Sequence, residues 1–379
     1  MSVHTLDSVY TVWHEALQEA VSTRHSILFK RNTISFDRSI DFFEKGSISS
    51  GPTGPAVAAI QYNVYVVWSG LHQSSNVRAI LYTRSTDGGA NFGSTVNLSG
   101  TIGPSTFPSI AASGNKVHVV WVANDTTGNN NIFYKRSTDD GANFPSDFLP
   151  LSDSSRDSSD PAIAASGNKV HVVWHDNSLG NNNIFYKRST DDGANFGRPV
   201  NLSDPLASTA PAIAASGNNV HVVWVVDFAP EGGVNIQYTG STDDGANFSI
   251  ARTLSNTGGT PSAPAIAASG NNVHVVWVVD FAPEGGVNIF YTRSIDGGAN
   301  FGRPVNLSDP LGDSTAPAIA AAGNNVYVVW VGFSNNLLNI FYKRSTDGGA
   351  NFGSTVNLSN VTALGGTATP AIAASNNLT

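Results

Sequence analysis

Tryptophan recurs at nearly constant spacing along the chain, and this periodicity constrains the fold more than any other feature. The seven tryptophans are Trp13, Trp68, Trp121, Trp174, Trp224, Trp277 and Trp330, 50 to 55 residues apart. Most of them end the same short apolar stretch, as in Val-His-Val-Val-Trp at residues 170–174. Self-similarity at this period indicates a repeat protein, in which each unit buries its apolar faces against its neighbours.

One complete unit, residues 161–204, contains four β-prone stretches separated by Gly, Asn and Asp turns. The first (161–166) begins with Pro161, which a strand tolerates as its first residue; it is rich in small residues, as the crowded innermost strand of a ring requires. The second (170–174), third (183–189) and fourth (198–203) follow it outward. Four short strands in about 50 residues match one propeller blade. We therefore predict an all-β, seven-bladed β-propeller of four-stranded antiparallel blades, forming a single domain over residues 1–379.

The two ends of the chain indicate how the ring closes. Second, third and fourth strands occur seven times, beginning at residues 9–13, and the chain ends with a further first strand, residues 370–375. The simplest closure places that last strand inside the first blade, which leaves no ragged edge. In the alternative, residues 3–6 are the first inner strand and the chain ends early in an eighth repeat.

A motif, SxDxGxxF, lies between the third and fourth strands of six units, at residues 85–92, 137–144, 189–196, 241–248, 294–301 and 345–352. Its aspartate can accept backbone N–H bonds within the turn, its glycine permits a positive φ, and its phenylalanine can cover the turn. We predict structural roles for Asp87, Asp139, Asp191, Asp243, Asp296 and Asp347, and for Asp37 in a degenerate seventh copy that has serine in place of glycine. The spacing does not match an EF-hand, so no metal or other cofactor is expected, with calcium as the alternative.

This motif resembles the Asp-box, or BNR repeat, of the sialidase superfamily. The resemblance implies the propeller fold and raises the possibility of an exo-glycosidase with an arginine triad and a tyrosine paired with glutamate. The residues argue against that activity. All five glutamates lie outside the inner strands, and five of the thirteen arginines repeat at one position before the motif: Arg84, Arg136, Arg188, Arg293 and Arg344. No catalytic residue is predicted.

Histidine and tyrosine exchange at one position of the second strand. His118, His171, His221 and His274 stand where other units have Tyr10, Tyr65 and Tyr327. The exchange favours a structural role in which a polar ring atom finds a buried partner. A metal-binding ring of histidines is the alternative.

The units differ mainly in the loops after their second and fourth strands, which open on one face of a propeller. Rigid scaffolds carry function on such loops. The predicted ligand-binding residues there are Asp125, Asp176, Asp227, Phe228, Glu231, Asp280, Phe281, Glu284 and Phe333. Exposed aromatic rings would stack on sugars or anchor a protein; alternatively, Phe228 and Phe281 fold back on Pro230 and Pro283.

The composition restricts the kinds of partner that the protein can bind. A net charge of −8 with only 20 Lys plus Arg argues against nucleic acid, and no apolar run is long enough to span a membrane. The chain has no cysteine, and its start lacks the features of a signal peptide. We expect a monomeric, non-catalytic, extracellular or cell-surface propeller that binds a carbohydrate or a protein. The alternatives are a divergent sialidase-like exo-glycosidase and a structural surface module.

Overall fold

A computed structural model of the chain describes residues 8–18, 23–32, 36–41, 53–71, 77–125, 128–153, 157–177, 179–203, 206–228, 233–281, 285–308, 312–334, 337–359 and 369–375. These residues form 28 strands arranged as seven four-stranded antiparallel sheets, each a blade. The predicted seven-bladed propeller is confirmed. Within the described ranges no helix is long and apolar enough to cross a membrane.

The strands run outward from the hub in chain order in every blade but the first. Blade 1 comprises β1 (Ser8–Gln18), β2 (Thr23–Asn32), β3 (Phe36–Asp41) and the C-terminal β28 (Ala371–Ser375). Blade 2 comprises β4 (Thr53–Ile60), β5 (Asn63–Leu71), β6 (Arg78–Ser85) and β7 (Val96–Asn97); blade 3, β8 (Ser105–Ser113), β9 (Lys116–Asn124), β10 (Asn130–Ser137) and β11 (Leu149–Pro150). Blade 4 comprises β12 (Ser158–Ser166), β13 (Lys169–Asp176), β14 (Asn183–Ser189) and β15 (Val200–Asn201); blade 5, β16 (Ala207–Ser216), β17 (Asn219–Asp227), β18 (Val234–Ser241) and β19 (Arg252–Thr253). Blade 6 comprises β20 (Thr260–Ser269), β21 (Asn272–Asp280), β22 (Val287–Ser294) and β23 (Val305–Asn306); blade 7, β24 (Ser314–Ala322), β25 (Asn325–Ser334), β26 (Leu337–Ser345) and β27 (Val356–Asn357).

The ring closes through the C-terminal strand, as predicted. Blade 1 has the strand order β28-β1-β2-β3, and Thr11 pairs with Ile372. Ser375 Oγ of blade 1 also donates a hydrogen bond of 3.2 Å to Gln61 O of blade 2. Ser113 Oγ of blade 3 donates in the same way to Gly167 O of blade 4. Strand β28 therefore replaces the inner strand that the alternative placed at residues 3–6, which lie outside the described residues.

The core lies between blades. Trp174 is buried against Val120 and Val122 of the preceding blade, and Trp121 packs in the same way on Tyr65 and Val67. A tryptophan buries about 150 to 250 Å² of surface, or roughly 4 to 6 kcal/mol of hydrophobic free energy at about 25 cal/mol per Å². The repeated tryptophan thus serves as the main apolar contact between successive blades.

The inner strands begin earlier than the sequence suggests, and proline is not their first residue. Strand β12 starts at Ser158, and its register with β13 shifts between Ser159 and Ala162, so that Asp160 and Pro161 together face Trp174. Two residues opposite one define a β-bulge. The predicted position of Pro161 at the strand start is therefore wrong, and the bulge accounts for the tolerated proline, because its missing N–H falls where the ladder is already interrupted.

Candidate functional site: the loop face and the hub

The strand order gives the propeller two unlike ends. The connections from second to third strands and from fourth strands to the next blade lie at one end, which we call the loop face. The connections from first to second and from third to fourth strands lie at the other end, which we call the turn face. Because the variable segments are those of the first kind, the sequence differences between blades concentrate on the loop face.

On the turn face the SxDxGxxF segments form one repeated hydrogen-bonded turn. In blade 4, Ser189 Oγ donates to Asp191 Oδ1 (2.7 Å) and accepts from Gly193 N (2.9 Å). The carboxylate also accepts from the backbone N and side-chain amide of Asn195, at 2.9 and 2.8 Å. The same contacts recur at Asp87, Asp139, Asp243, Asp296 and Asp347. The structural role predicted for these six aspartates matches this geometry.

The hydrogen bonds hold the turn aspartates in the charged state. Donation from Asn195 and Ser189 lowers the pKa of Asp191 to about 2, and the corresponding serine and asparagine donors lower the pKa of Asp87, Asp139 and Asp296 to about 2. The glycine is required as well, because Gly193 has φ +77° and a Cβ there would overlap the hydroxyl of Tyr134. Among the described residues no group of three or more His, Cys, Asp or Glu is arranged to hold a metal ion.

Asp37 lies within the outer strand β3, whose register with β2 shifts between Lys30 and Asn32. The rest of the degenerate seventh copy, including Ser35 and Phe42, lies outside the described residues. The structural role of Asp37 therefore stays a prediction.

The motif also joins neighbouring blades. Arg136 Nη1 donates to Asp192 O in the next blade (2.6 Å), and the Phe196 ring packs edge to face on Tyr134 with centroids 4.9 Å apart. Arg84, Arg188 and Arg293 donate to the following turns in the same way. These arginines are structural, as the sequence indicated, and lie at the end opposite the loop face.

Removal of the serine hydroxyl should destabilise the protein measurably. In Ser189→Ala the buried N–H of Gly193 loses its acceptor and Asp191 loses a donor, which should lower the free energy of unfolding by about 1 to 3 kcal/mol. Urea unfolding followed by tryptophan fluorescence measures this. Thr190→Ala, which removes an exposed hydroxyl from the neighbouring residue, should change it by less than about 0.5 kcal/mol; equal losses in the two variants would contradict the assignment.

The four histidines of the second strands have structural partners. His118 Nδ1 lies 2.7 Å from the hydroxyl of Tyr134, and the pairs His171–Tyr186, His221–Tyr238 and His274–Tyr291 repeat this contact at 2.8 to 2.9 Å. Burial lowers the pKa of each of these histidines to about 4. The predicted buried partner is confirmed.

On the loop face, the structure brings two of the predicted ligand-binding residues into one network. Asp125 accepts from the Asn131 amide (2.9 Å), and Asn130 N donates to Asp157 Oδ1 across the blade boundary (2.9 Å). The adjacent Ser158 Oγ donates to the buried Asp176 carboxylate (2.8 Å). Asp125 and Asp176 thus both lie at the junction of blades 3 and 4, where their carboxylates fix the loops.

The other predicted residues lie further round the ring. Asp227 and Asp280 are exposed at the ends of β17 and β21, and Phe333 is 45% exposed near the end of β25. Phe228 and Phe281 are partly buried against the core, and the Phe281 ring lies 5.8 Å from that of Phe290. Both phenylalanines thus pack inward, whereas Pro230 and Pro283, on which the alternative had them fold back, lie outside the described residues. Glu231 and Glu284 lie outside the described residues.

A feature at the hub has no counterpart in the prediction. The residue before the bulge proline has a positive φ in six blades: Gly54, Phe107, Asp160, Ala210, Ala263 and Ala316. For residues other than glycine this conformation costs about 1 to 2 kcal/mol. A Cβ added to Gly54 would lie 3.9 Å from Pro108 Cδ, so the bulges of adjacent blades approach each other.

Two of these six positions carry chemically distinctive side chains, in neighbouring blades 3 and 4. Phe107 is 55% exposed, and Asp160 Oδ2 lies 3.3 Å from His175 Nδ1. Phe107 is the third residue of an inner strand that begins at the loop face. We call Phe107, Asp160 and His175 the hub site. The sequence does contain a signal for it: the residue before the proline is glycine or alanine in blades 2, 5, 6 and 7, but Phe107 in blade 3 and Asp160 in blade 4.

No protein-family model matches the chain, and no curated protein matches it. Solved structures do resemble it. NanB sialidase from Streptococcus pneumoniae aligns at 10% identity over 82% of this chain and 68% of that chain, with a TM-score of 0.53. An α-L-arabinofuranosidase from Fusarium graminearum aligns at 14% identity over 81% and 93% (TM-score 0.55), and the polysaccharide lyase Uly1 at 11% over 88% and 86% (TM-score 0.56). At these identities the similarity establishes a shared propeller fold.

Proposed function

We propose that the protein is a non-catalytic propeller that binds carbohydrate at its loop face, with the hub site as the point of contact. The main support for this proposal is that the ring of Phe107, at a position of positive φ, is 55% exposed. The same conformation recurs at Ala210, Ala263 and Ala316, but only in blade 3 does this position present a large aromatic ring.

The chemistry of the hub site suits a sugar. An exposed aromatic face offers an apolar platform for the C–H face of a pyranose or furanose ring. In the neighbouring blade, the 37% exposed side chain of Asp160 can accept hydrogen bonds from sugar hydroxyls, and His175 lies next to it. The exposed Phe333 adds a second aromatic ring on the same face. The named neighbours that act on glycans share this fold, which supports a carbohydrate over another small ligand by analogy.

The carboxylates argue for binding rather than hydrolysis. Asp125, Asp157 and Asp176 are engaged in fixing loops, and the turn aspartates lie on the other face. A glycosidase needs two carboxyl groups flanking the scissile bond, about 5 to 9.5 Å apart, and the hub site contributes one. We further propose that the protein acts at the cell surface or outside the cell as a monomer, with no bound cofactor.

A glycan-array screen of the full chain, with and without calcium, followed by calorimetry on the best glycan, tests this function. We expect saturable binding that calcium does not change. Phe107→Ala should weaken it about tenfold, the equivalent of about 1.4 kcal/mol. Tyr62→Ala is the matched control, since it removes a 51% exposed aromatic ring from the turn face.

Three outcomes would overturn the proposal. Equal affinity of Phe107→Ala and the parent protein would remove the hub site from recognition. Silence across the array would favour a protein partner or a structural role. Turnover of a fluorogenic sialoside or arabinofuranoside by the same sample would favour the divergent glycosidase.

A further inference from the structure

On the turn face, the junction of blades 5 and 6 lacks the arginine that crosses four other described junctions. At the junction of blades 3 and 4, Arg136 donates to Asp192 O and Lys116 Nζ lies 3.8 Å from Asp192 Oδ2; Arg188 and Lys169 contact Asp244 in the same way at the next junction. At the junction of blades 5 and 6 these positions hold Asn219, Gly240 and Gly297. The long side chains that cross those two boundaries are therefore replaced here by short, neutral ones.

A cleft of about 400 Å³ occupies this junction, lined by the turns on either side. Its volume is within the range of about 300 to 1,000 Å³ that is typical of small-ligand sites. Gly240, which lines the cleft, stands where other blades have arginine, so the cleft lies at a local change of sequence.

A different arginine enters the cleft from the outer strand. Arg252 stands where β7, β15, β23 and β27 have an exposed valine. Its guanidinium carbon lies 5.0 Å from the ring centroid of Tyr238 and 5.2 Å from that of Phe301, and its Nη1 donates to Ala299 O (2.6 Å). Stacking on two rings and one backbone bond fix the guanidinium plane, and a guanidinium has five N–H donors in all.

The rest of the lining is mainly polar, with one exposed aliphatic side chain and one carboxylate. Asn219 and Asn271 contribute amides and Thr242 a hydroxyl, while Ile250 is 95% exposed. Asp296 also lines the cleft, but its carboxylate accepts hydrogen bonds from Ser294 and Asn300 within its own turn. A fixed guanidinium beside this carboxylate suits a single negative charge better than the two charges of a phosphate.

We propose that this cleft is a second binding site, separate from the loop face, for a small monocarboxylate that also carries hydroxyl groups, that is, a sugar acid of the uronate type. Arg252 pairs with the carboxylate, the amides of Asn219 and Asn271 with hydroxyl groups, and Ile250 covers the apolar face of the ring. The site does not depend on the loop-face function, since the two lie at opposite ends of the propeller.

Titration calorimetry of the full chain with glucuronate tests the proposal, with glucose as the neutral probe. We expect saturable binding of glucuronate and at least tenfold weaker binding of glucose. Gly240→Arg, which introduces the residue of the other blades, should abolish glucuronate binding. Arg252→Gln should weaken it at least tenfold, and Tyr62→Ala, outside the cleft, should leave it unchanged.

Absence of saturation by glucuronate, equal binding of glucose, or undiminished binding in both cleft variants would overturn the proposal. A Cβ at Gly240 would lie 2.6 Å from the Tyr238 hydroxyl, so that ring must shift in Gly240→Arg; if thermal melting shows that this variant is unfolded, Arg252→Gln decides. Loss of uronate binding in the cleft variants identifies this site, whereas loss of array glycans in Phe107→Ala identifies the loop face.

Discussion

A chain that ends at residue 369 should fail to form a stable propeller, although it lacks only the last ten residues, which include the inner strand β28. Strand β28 pairs with β1 and packs between the inner strands β4 and β24. Ile372 is buried with Val329 of blade 7, and Ala373 with Val66 of blade 2. Its removal opens both junctions of blade 1 and exposes the unpaired edge of β1.

The expected loss is comparable with the whole stability of a domain. Burial of one isoleucine contributes about 1.5 to 3 kcal/mol, and the alanines and the strand pairing add to this, for a total of roughly 5 kcal/mol. Native proteins are stable by only about 5 to 15 kcal/mol. Thermal unfolding monitored by tryptophan fluorescence should therefore show no cooperative transition in the shortened chain.

Two further measurements separate closure from a general effect of truncation. A chain that ends at residue 375 should melt like the full protein, and a peptide of residues 369–379 added to the shorter chain should restore its transition. Ile372→Ala should cost about 2 to 5 kcal/mol, similar to Ile163→Ala at the same position of blade 4. A shortened chain that melts within a few degrees of the full one would show that the ring does not need β28.

The parts of the fold that could be predicted are those repeated in the sequence. Seven tryptophans fixed the number of blades, because a large apolar side chain at constant spacing has to be buried at each boundary. The extra inner strand at residues 370–375 indicated closure, because no second strand follows it and blade 1 is the blade that lacks an inner strand of its own.

The features that were missed are single departures from the repeat, whose effect depends on tertiary contacts. The sequence pattern predicts that the proline of each inner strand begins it, whereas the ladder continues past the proline through a bulge that puts Phe107 and Asp160 at equivalent positions. Similarly, Gly240 interrupts a column of arginines in the sequence, but only the arrangement of blade 6 shows that a cleft results. Position in the repeat predicts the scaffold, and departures from it mark the candidate sites.

On the loop face, the sequence predicted more available side chains than the structure provides. Loop carboxylates such as Asp125 and Asp176 looked available for a ligand, but hydrogen bonds to Asn131 and Ser158 engage them. Whether a loop residue faces solvent or its own scaffold is decided by partners that are distant in sequence, such as Asn130 and Asp157. Sequence variation therefore located the variable face correctly as a surface without identifying which side chains on it are free.

Folding stability should fall steeply as pH decreases from about 6.5 to about 4, because four buried histidines stay neutral in the folded protein. Desolvation by burial lowers the pKa of His118, His171, His221 and His274 from 6.5 to about 4. In the unfolded chain each binds a proton near pH 6.5. Between these two values the unfolded state binds more protons, so its population increases as pH falls, and the stabilisation is complete only above about pH 6.5.

The size of the effect follows from the number of histidines. Each contributes about 1.4 kcal/mol per pH unit within the window, so four together contribute up to about 5 kcal/mol per unit. The turn aspartates act in the same direction, since their pKa is lowered in the folded state, but only as pH falls below about 4. The two groups therefore act over separate pH ranges, the histidines first as pH falls.

Substitutions already present in the repeat provide the test. Tyrosine occupies the histidine position in blades 2 and 7, as Tyr65 and Tyr327, and Tyr327 stacks on Tyr342 much as His118 does on Tyr134. His171→Tyr should therefore fold and reduce the slope of unfolding free energy against pH by about 1.4 kcal/mol per unit between pH 6.5 and 4. Tyr327→His should steepen the slope by the same amount. Urea unfolding at a series of pH values measures both, and identical slopes in the two variants would mean that these histidines do not control acid stability.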